Sequence, residues 1–304
     1  MRDNDPNAKS QLKTLIDQSI HIIREATAEL EQPALLFSGG KDSTVLAYLA
    51  RQAFWPTPIP FPALHVDTGH NFPETLEFRD KLLADFGMRL IVVSMPEMIE
   101  DGRLAEEPGA ASRNRLQGQA LVDTVAEHGF DGLFGGARRD EEKARAKERI
   151  FSVREEFGQW DPRDQRPELW ELYNTRLGSG QSLRIFPLSN WTEADIWRYI
   201  EQRNIELPSL YYAHQRHVFE RAGMLFAEGP FLPAAEGEQI RELQVRFRTV
   251  GDMTCTGAIE STAGTPAQVM EELAVSRLSE RGASRADDKF AESAMEERKQ
   301  EGYF

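Results

Sequence analysis

The hexapeptide Ser38-Gly39-Gly40-Lys41-Asp42-Ser43 constrains this chain more than any other stretch. It follows the apolar run Pro33-Ala34-Leu35-Leu36-Phe37 and leads into Val45, Leu46, Tyr48 and Leu49, so it reads as a tight turn from a buried strand into a helix. Two adjacent glycines open φ > 0 and remove the Cβ atoms. Successive backbone N–H groups can then converge on an anion, and the helix N-terminus adds partial positive charge. Lys41 contributes a full charge, and Ser38 and Ser43 contribute hydroxyl donors. Gly-Gly followed by Lys is a costly way to open a helix, which argues against an ordinary connecting turn.

The surrounding pattern predicts an α/β fold: a doubly wound, mostly parallel sheet with helices on both faces. Leu12, Leu15, Ile16, Ile20, Ile22 and Ile23 space an amphipathic helix over 10–30, before the first strand. After the alternating prolines 56, 58, 60 and 62 comes a second strand over 61–69, with Asp67 and Thr68 at the carboxyl end, where ligands sit in an open α/β sheet. Asp67 has a second reading as a cap for the helix near Pro73, and His65 reads as a core side chain. A helix over 74–86, a strand over 90–93, a loop or lid over 97–113, a helix over 116–128 and a short strand over 130–134 follow. The expected division is a nucleotide-binding α/β domain over 1–205 and a less regular extension over 206–304 that closes the site. Within it, 246–257 reads as a strand and turn, 266–277 as a helix, and the mixed-charge stretch from Leu278 as a segment either mobile by itself or ordered on a partner.

The strand over 130–134 delivers a second anion-suited stretch, Gly135-Gly136-Ala137-Arg138-Arg139, continuing through Lys143 and Arg145 to Arg149. Glycines at a strand end allow close backbone approach, and paired arginines present fork-shaped cations matched to phosphate or sulfate. Lys143 through Arg149 equally reads as a solvated helix held by Glu–Lys and Glu–Arg pairs. Arg246 and Arg248 could return to the same place from the last third of the chain.

A formal net charge of −14 argues against broad binding to nucleic acid or anionic membrane, so any anion site must be a local basic pocket. The single cysteine, Cys255, excludes an internal disulfide and two-cysteine redox chemistry. With no secretory pattern and no membrane-spanning apolar run, the expected compartment is the cytoplasm. Asn190-Trp191-Thr192 matches a glycosylation sequon, but Thr192 with Asp195 reads better as a helix N-cap pair. His214 and His217 have metal-ligand spacing with no evident third ligand.

The spacing of the first turn is not that of a Walker A loop; it resembles the PP-loop of the adenine-nucleotide alpha-hydrolase superfamily. Together with His65-Val66-Asp67-Thr68-Gly69, Gly135 through Arg149, Phe186-Pro187-Leu188-Ser189-Asn190-Trp191-Thr192-Glu193 and the closing Gly302-Tyr303-Phe304, it resembles the small-subunit (subunit 2) family of bacterial sulfate adenylyltransferases over nearly the whole length. The resemblance implies that ATP and sulfate give adenylyl sulfate and pyrophosphate, with a separate GTPase large subunit, with or without a fused adenylylsulfate kinase, as partner. It also implies a grip on the ATP pyrophosphate by Ser38, Gly39, Gly40, Lys41, Asp42 and Ser43, with Asp67, Thr68, Gly135 and Gly136 around it.

The residue chemistry suits that reaction. Sulfate is already an ionised nucleophile at neutral pH, so no general base is needed; charge neutralisation and in-line placement are. Lys41 is expected to stabilise the leaving pyrophosphate, and Arg138 and Arg139 to hold sulfate and the α-phosphate. Lys143, Arg145, Arg246 and Arg248 are secondary candidates. Mg²⁺ is expected to bridge the phosphates, with Asp42 or Asp67 touching it directly or through water. Three competing readings are a sulfonucleotide reductase, disfavoured because Cys255 lies in Met-Thr-Cys-Thr-Gly and no cysteine lies in the tail, a PP-loop RNA-modifying enzyme, disfavoured by the acidic balance, and a non-catalytic nucleotide sensor that regulates a GTPase. The retention of Lys41 and both serines disfavours the sensor.

Overall fold

The computed structural model describes residues 6–106, 112–141, 143–156 and 158–275. Helix α1 (Pro6–Glu29) buries Leu12, Leu15, Ile16, Ile22 and Ile23, the stripe that its three-and-four spacing sets on one face. Strand β1 (Pro33–Leu36) follows, and α2 (Lys41–Phe54) begins at the lysine of the hexapeptide. The alternation continues through β2 (Ala63–Asp67), α3 (Pro73–Asp85), β3 (Leu90–Ser94), a short α4 (Met95–Glu100), α5 (Asn114–His128) and β4 (Gly132–Phe134). Strands β5 (Phe151–Arg154) and β6 (Ser182–Ile185) precede α6 (Glu193–Arg203). Thr192 and Asp195 form the N-cap pair expected from sequence, each side chain bonding the other's backbone N–H.

The six strands lie in the order β3-β2-β1-β4-β6-β5, parallel except for the antiparallel edge strand β5. Leu35 sits opposite both Ala63 and Phe134, which places β1 at the centre. The pleat sends Ala34, Leu64 and Leu133 to the face covered by α4 and α5. It sends Leu35 and Phe134 to the face covered by α1, α2 and α6. The chain runs outward from β1 to β2 and β3 on one side and to β4 and β6 on the other. The switch point of the sheet therefore falls between β1 and β4, where the two glycine-bearing turns emerge.

Four stretches differ from the sequence expectation. Residues Lys143–Lys147 form a 3-10 turn rather than an α-helix, and part of the expected lid is α4. Edge strand β5 has no hairpin signal next to it and was not expected. The largest difference is beyond α6, where β7 (His214–Arg221), β8 (Met224–Ala227), β9 (Arg241–Phe247) and β10 (Gly257–Glu260) close a small barrel in place of irregular chain, followed by α7 (Pro266–Val275). Its first hairpin turns through Ala222 and Gly223, both at positive φ (51° and 72°), and alanine there is a poor flag for a turn usually marked by Asn-Gly or Asp-Gly. Val218, Val245, Phe247 and Ala258 of the barrel belong to the same apolar core as Leu46 and Trp197, so packing is continuous across the expected boundary at 205/206. The stretch from Leu278, including Gly302-Tyr303-Phe304, lies outside the described residues.

Candidate active site

The hexapeptide turn is held from below and from beside. Gly39 has φ +75°, and a Cβ there would stand 2.5 Å from Cγ2 of Thr75, so the position needs glycine for conformation and for space. A Cβ on Gly136 would lie 3.1 Å from the backbone of Asp42 and Ser43, which is how the β4 turn comes to lie against the start of α2. Within the turn, Gly40 N–H donates to Ser38 Oγ at 3.3 Å, the Ser38 and Ser43 hydroxyls are 3.2 Å apart, and Ser43 Oγ donates to the Gly40 carbonyl at 3.0 Å. The backbone N–H of Lys41, at the positive end of α2, donates to Tyr211 Oη at 2.8 Å.

A chain of alternating charges runs through the site. Lys41 Nζ lies 3.0 Å from Asp42 Oδ2, Arg138 Nε lies 2.7 Å from Asp42 Oδ1, and Arg138 Nη1 lies 3.5 Å from Asp140. Burial pushes the Asp42 carboxyl up, but Lys41 and Arg138 outweigh it and hold the group below the usual carboxylate value. Arg145, itself buried, is 3.3 Å from Glu141.

These groups border a cavity at the switch point. On the β1–β2–α5 side its lining is Leu36, Leu64, Val66 and Leu121 with the amides of Asn114 and Gln117; on the β4 side it is Gly135, Gly136, Glu141 and Arg145. The hexapeptide forms the floor between them, and Tyr211 with Thr249–Asp252 from the barrel region forms a wall. Gln117 Nε2 donates to Asn114 Oδ1 at 2.8 Å, and Asn114 Nδ2 lies 3.0 Å from the buried Cys255 Sγ. An apolar slot with amide groups on one side and cations on the other matches a purine base joined to a polyphosphate.

Of the residues expected from sequence, Ser38, Gly40, Lys41, Asp42, Ser43, Thr68, Gly135, Gly136 and Arg145 line this cavity. Gly39 shapes the turn from beneath. Arg138 is fully buried behind Asp42, whose carboxylate it holds. Arg139 turns away, donating to Asn190 Oδ1 at 2.6 Å, and borders a separate cavity with Gln18, Glu168 and Tyr173. Asp67 Oδ1 accepts from Gly69 N–H at 2.8 Å and so shapes its own turn. Arg246 and Arg248 pair with Glu272 (2.8 Å) and Glu193 (2.7 Å), away from the cavity. The side chain of Lys143 lies outside the described residues. His214 and His217, three apart on a strand, point to opposite faces, and among the described residues no metal-binding cluster of His, Cys, Asp or Glu is present.

His65 is a buried core side chain, as expected, with Nδ1 2.8 Å from the Phe37 carbonyl; burial pushes its pKa down to about 4, so the ring is neutral. It also borders the cavity, which sequence reasoning did not anticipate. Tyr211, Asn114, Gln117 and the wall over 249–252 were missed for a common reason. They carry no motif, and Tyr211 reaches the turn across 170 positions of sequence.

Comparison with known proteins places the chain in a family. A family model described as phosphoadenosine phosphosulfate reductase domain matches residues 32–258. Sulfate adenylyltransferase subunit 2 of Streptomyces lavendulae is 56% identical over 98% of this chain and 93% of its own length, and that of Mycolicibacterium gilvum is 59% identical over 97% and 95%. The chain belongs to the sulfate adenylyltransferase subunit 2 family. Among solved structures, FMN adenylyltransferase of Candida glabrata matches with a TM-score of 0.50 at 14% identity, over 76% of this chain and 70% of that one, a likeness of fold. Cys255, the single cysteine of the chain, is buried against Asn114, whose amide lines the cavity.

Proposed function

We propose that the chain carries the adenylyl-transfer half of a two-subunit ATP sulfurylase, acting at the cavity between β1 and β4. Family membership makes it a nucleotidyltransferase subunit that uses ATP and sulfate and works in a complex with another subunit. A sulfate oxygen bonds to the α-phosphorus of ATP as the bond from that phosphorus to the β-bridging oxygen breaks; the electron pair leaves on pyrophosphate, and adenylyl sulfate forms. The observation that carries this reading is the junction, in one cavity, of an apolar amide-edged slot and the cation-bearing turn at the start of α2.

In this reading the base lies against Leu36, Leu64, Val66 and Leu121, and the β,γ-phosphates lie on the turn. Lys41 neutralises the charge that develops on pyrophosphate. Arg145 is the guanidinium bordering the cavity, and it serves the α-phosphate and sulfate. Arg138 acts one step back, holding Asp42 and through it Lys41. Mg²⁺ would be held chiefly by the triphosphate, where it supplies charge neutralisation. Asp42 is the side chain positioned to touch it, and its occupied oxygens suit contact through water.

Adenylyl sulfate is a high-energy mixed anhydride, so its formation runs uphill unless coupled. The chain contains no Walker A loop, which supports a GTPase large subunit as the source of energy and as the partner; the stretch from Leu278 is a candidate docking segment. The test is sulfate-dependent release of pyrophosphate from ATP by the chain assembled with that subunit and supplied with GTP. Release that ignores sulfate or GTP would refute the reading.

A further inference from the structure

We infer that Tyr211 is a substrate-binding residue, its phenolic hydroxyl donating a hydrogen bond to the leaving pyrophosphate of ATP. The inference rests on the reading that ATP binds at the hexapeptide turn, and it adds a contact that the motifs of that turn do not contain.

Anions at a helix start are held by the first free backbone N–H groups. Here the N–H of Lys41 is engaged at 2.8 Å by Tyr211 Oη, and the same oxygen stands 3.3 Å from where a Cβ on Gly40 would be. The phenol thus occupies the place at the turn that a phosphate oxygen would take. It is not a mobile surface group. Tyr211 is 1% exposed, sits in the 3-10 turn Ser209–Tyr211, and packs edge-on against the buried Trp197 at a ring distance of 6.0 Å. Swinging the ring out would open the core between α6 and the barrel, at a cost comparable to deleting a large buried side chain.

With the ring held, a phosphate reaches the Lys41 N–H only by way of the phenol. A hydroxyl that accepts from an N–H at the positive end of a helix is polarised and becomes a better donor, so Tyr211 passes the helix charge on to the phosphate. It borders the same cavity as Lys41, Ser38 and Ser43, within reach of an anion gripped by them.

Tyr211→Phe keeps the ring and removes only the hydroxyl. In the enzyme assembled with its partner subunit, the expected result is binding of ATP and of pyrophosphate weakened roughly 10- to 100-fold, the range for a hydrogen bond to a charged group, with AMP binding unchanged. A purely structural hydroxyl would weaken all three ligands together, and an irrelevant one would weaken none; either result overturns the inference. If the variant does not fold, 3-fluorotyrosine introduced at 211 provides the second test. Its fluorine resonance should move on adding pyrophosphate and stay still with AMP, and a resonance unmoved by bound pyrophosphate overturns the contact. Failure of the unmodified enzyme to bind ATP or pyrophosphate would instead refute the proposed function, and this contact with it.

Discussion

Replacing Arg138 with methionine separates a residue that touches substrate from one that holds another side chain. The guanidinium is fully buried and bonds Asp42 Oδ1 at 2.7 Å, while the Asp42 side chain is 25% exposed. Removing one partner of a fully buried ion pair costs about 3–5 kcal/mol. Partial exposure of the orphaned carboxylate lets solvent screen it, which lowers the expected loss to about 2–3 kcal/mol. With about 2.1 cal/mol/K of unfolding entropy per residue, that corresponds to a fall in Tm of about 3–5 °C for a chain of 304 residues. The pH dependence has a definite sign. With both cations present the folded Asp42 pKa is held low, so its stabilising contribution is complete above the unfolded value and is lost only as the pH falls through the lower, folded one. In Arg138→Met, burial is opposed by Lys41 alone and the folded pKa rises. The deficit of the variant should therefore be largest at neutral pH and narrow as the pH falls through the variant's raised folded value toward the lower one of the parent. Thermal unfolding at pH 7.5 and 4.5 reads both effects, and steady-state rates at varied sulfate and varied ATP read the functional one: kcat falls roughly 10-fold as Lys41 loses its fixed partner, with the KM for sulfate nearly unchanged. An unaltered Tm together with a raised sulfate KM would show that Arg138 faces the anion directly, and would refute the reasoning.

Lys41→Met should lower kcat for sulfate-dependent pyrophosphate release by about 100- to 1,000-fold, the usual scale for deleting one preorganised charge partner of a leaving group, with the fold intact by circular dichroism. His65→Asn retains a donor for the Phe37 carbonyl and removes the imidazole. Unfolded histidine takes up a proton below about pH 6.5, whereas buried His65 does so only near 4, so the parent chain should lose about 3 kcal/mol more stability between pH 7 and 4 than the variant; parallel denaturant curves check this. Cys255→Ala should raise the KM for ATP by about 2- to 10-fold through the loosened Asn114, while adenylyl transfer persists and thioredoxin-dependent reduction is absent from both proteins.

The parallel sheet and the glycine-bearing turn from β1 into α2 were legible in the sequence because both are governed by local rules. Apolar runs bounded by glycine specify buried strands, three-and-four spacing specifies α1, and a Gly-Gly-Lys turn has few uses other than receiving an anion. The same local rules say nothing about which of several arginines point inward. Arg138, Arg139, Arg246 and Arg248 look alike in the chain. Folding buries the first behind Asp42, turns the second toward Asn190 and commits the other two to Glu272 and Glu193, leaving Arg145 bordering the cavity. The barrel escaped notice because its first hairpin uses Ala222 where an asparagine or aspartate would have announced the turn.

What the amino-acid order settled by itself is the turn at the carboxyl end of the central strand: a helix start with glycines before it and a lysine on it. What only the tertiary structure decided is who else stands there. Tyr211, Asn114 and the wall over 249–252 arrive from elements far apart in the chain. Asn114 is placed by the packing of α5 against β2 and β3, the others by the packing of α6 and the barrel against the sheet, and packing depends on contacts between distant residues that no short stretch of sequence contains.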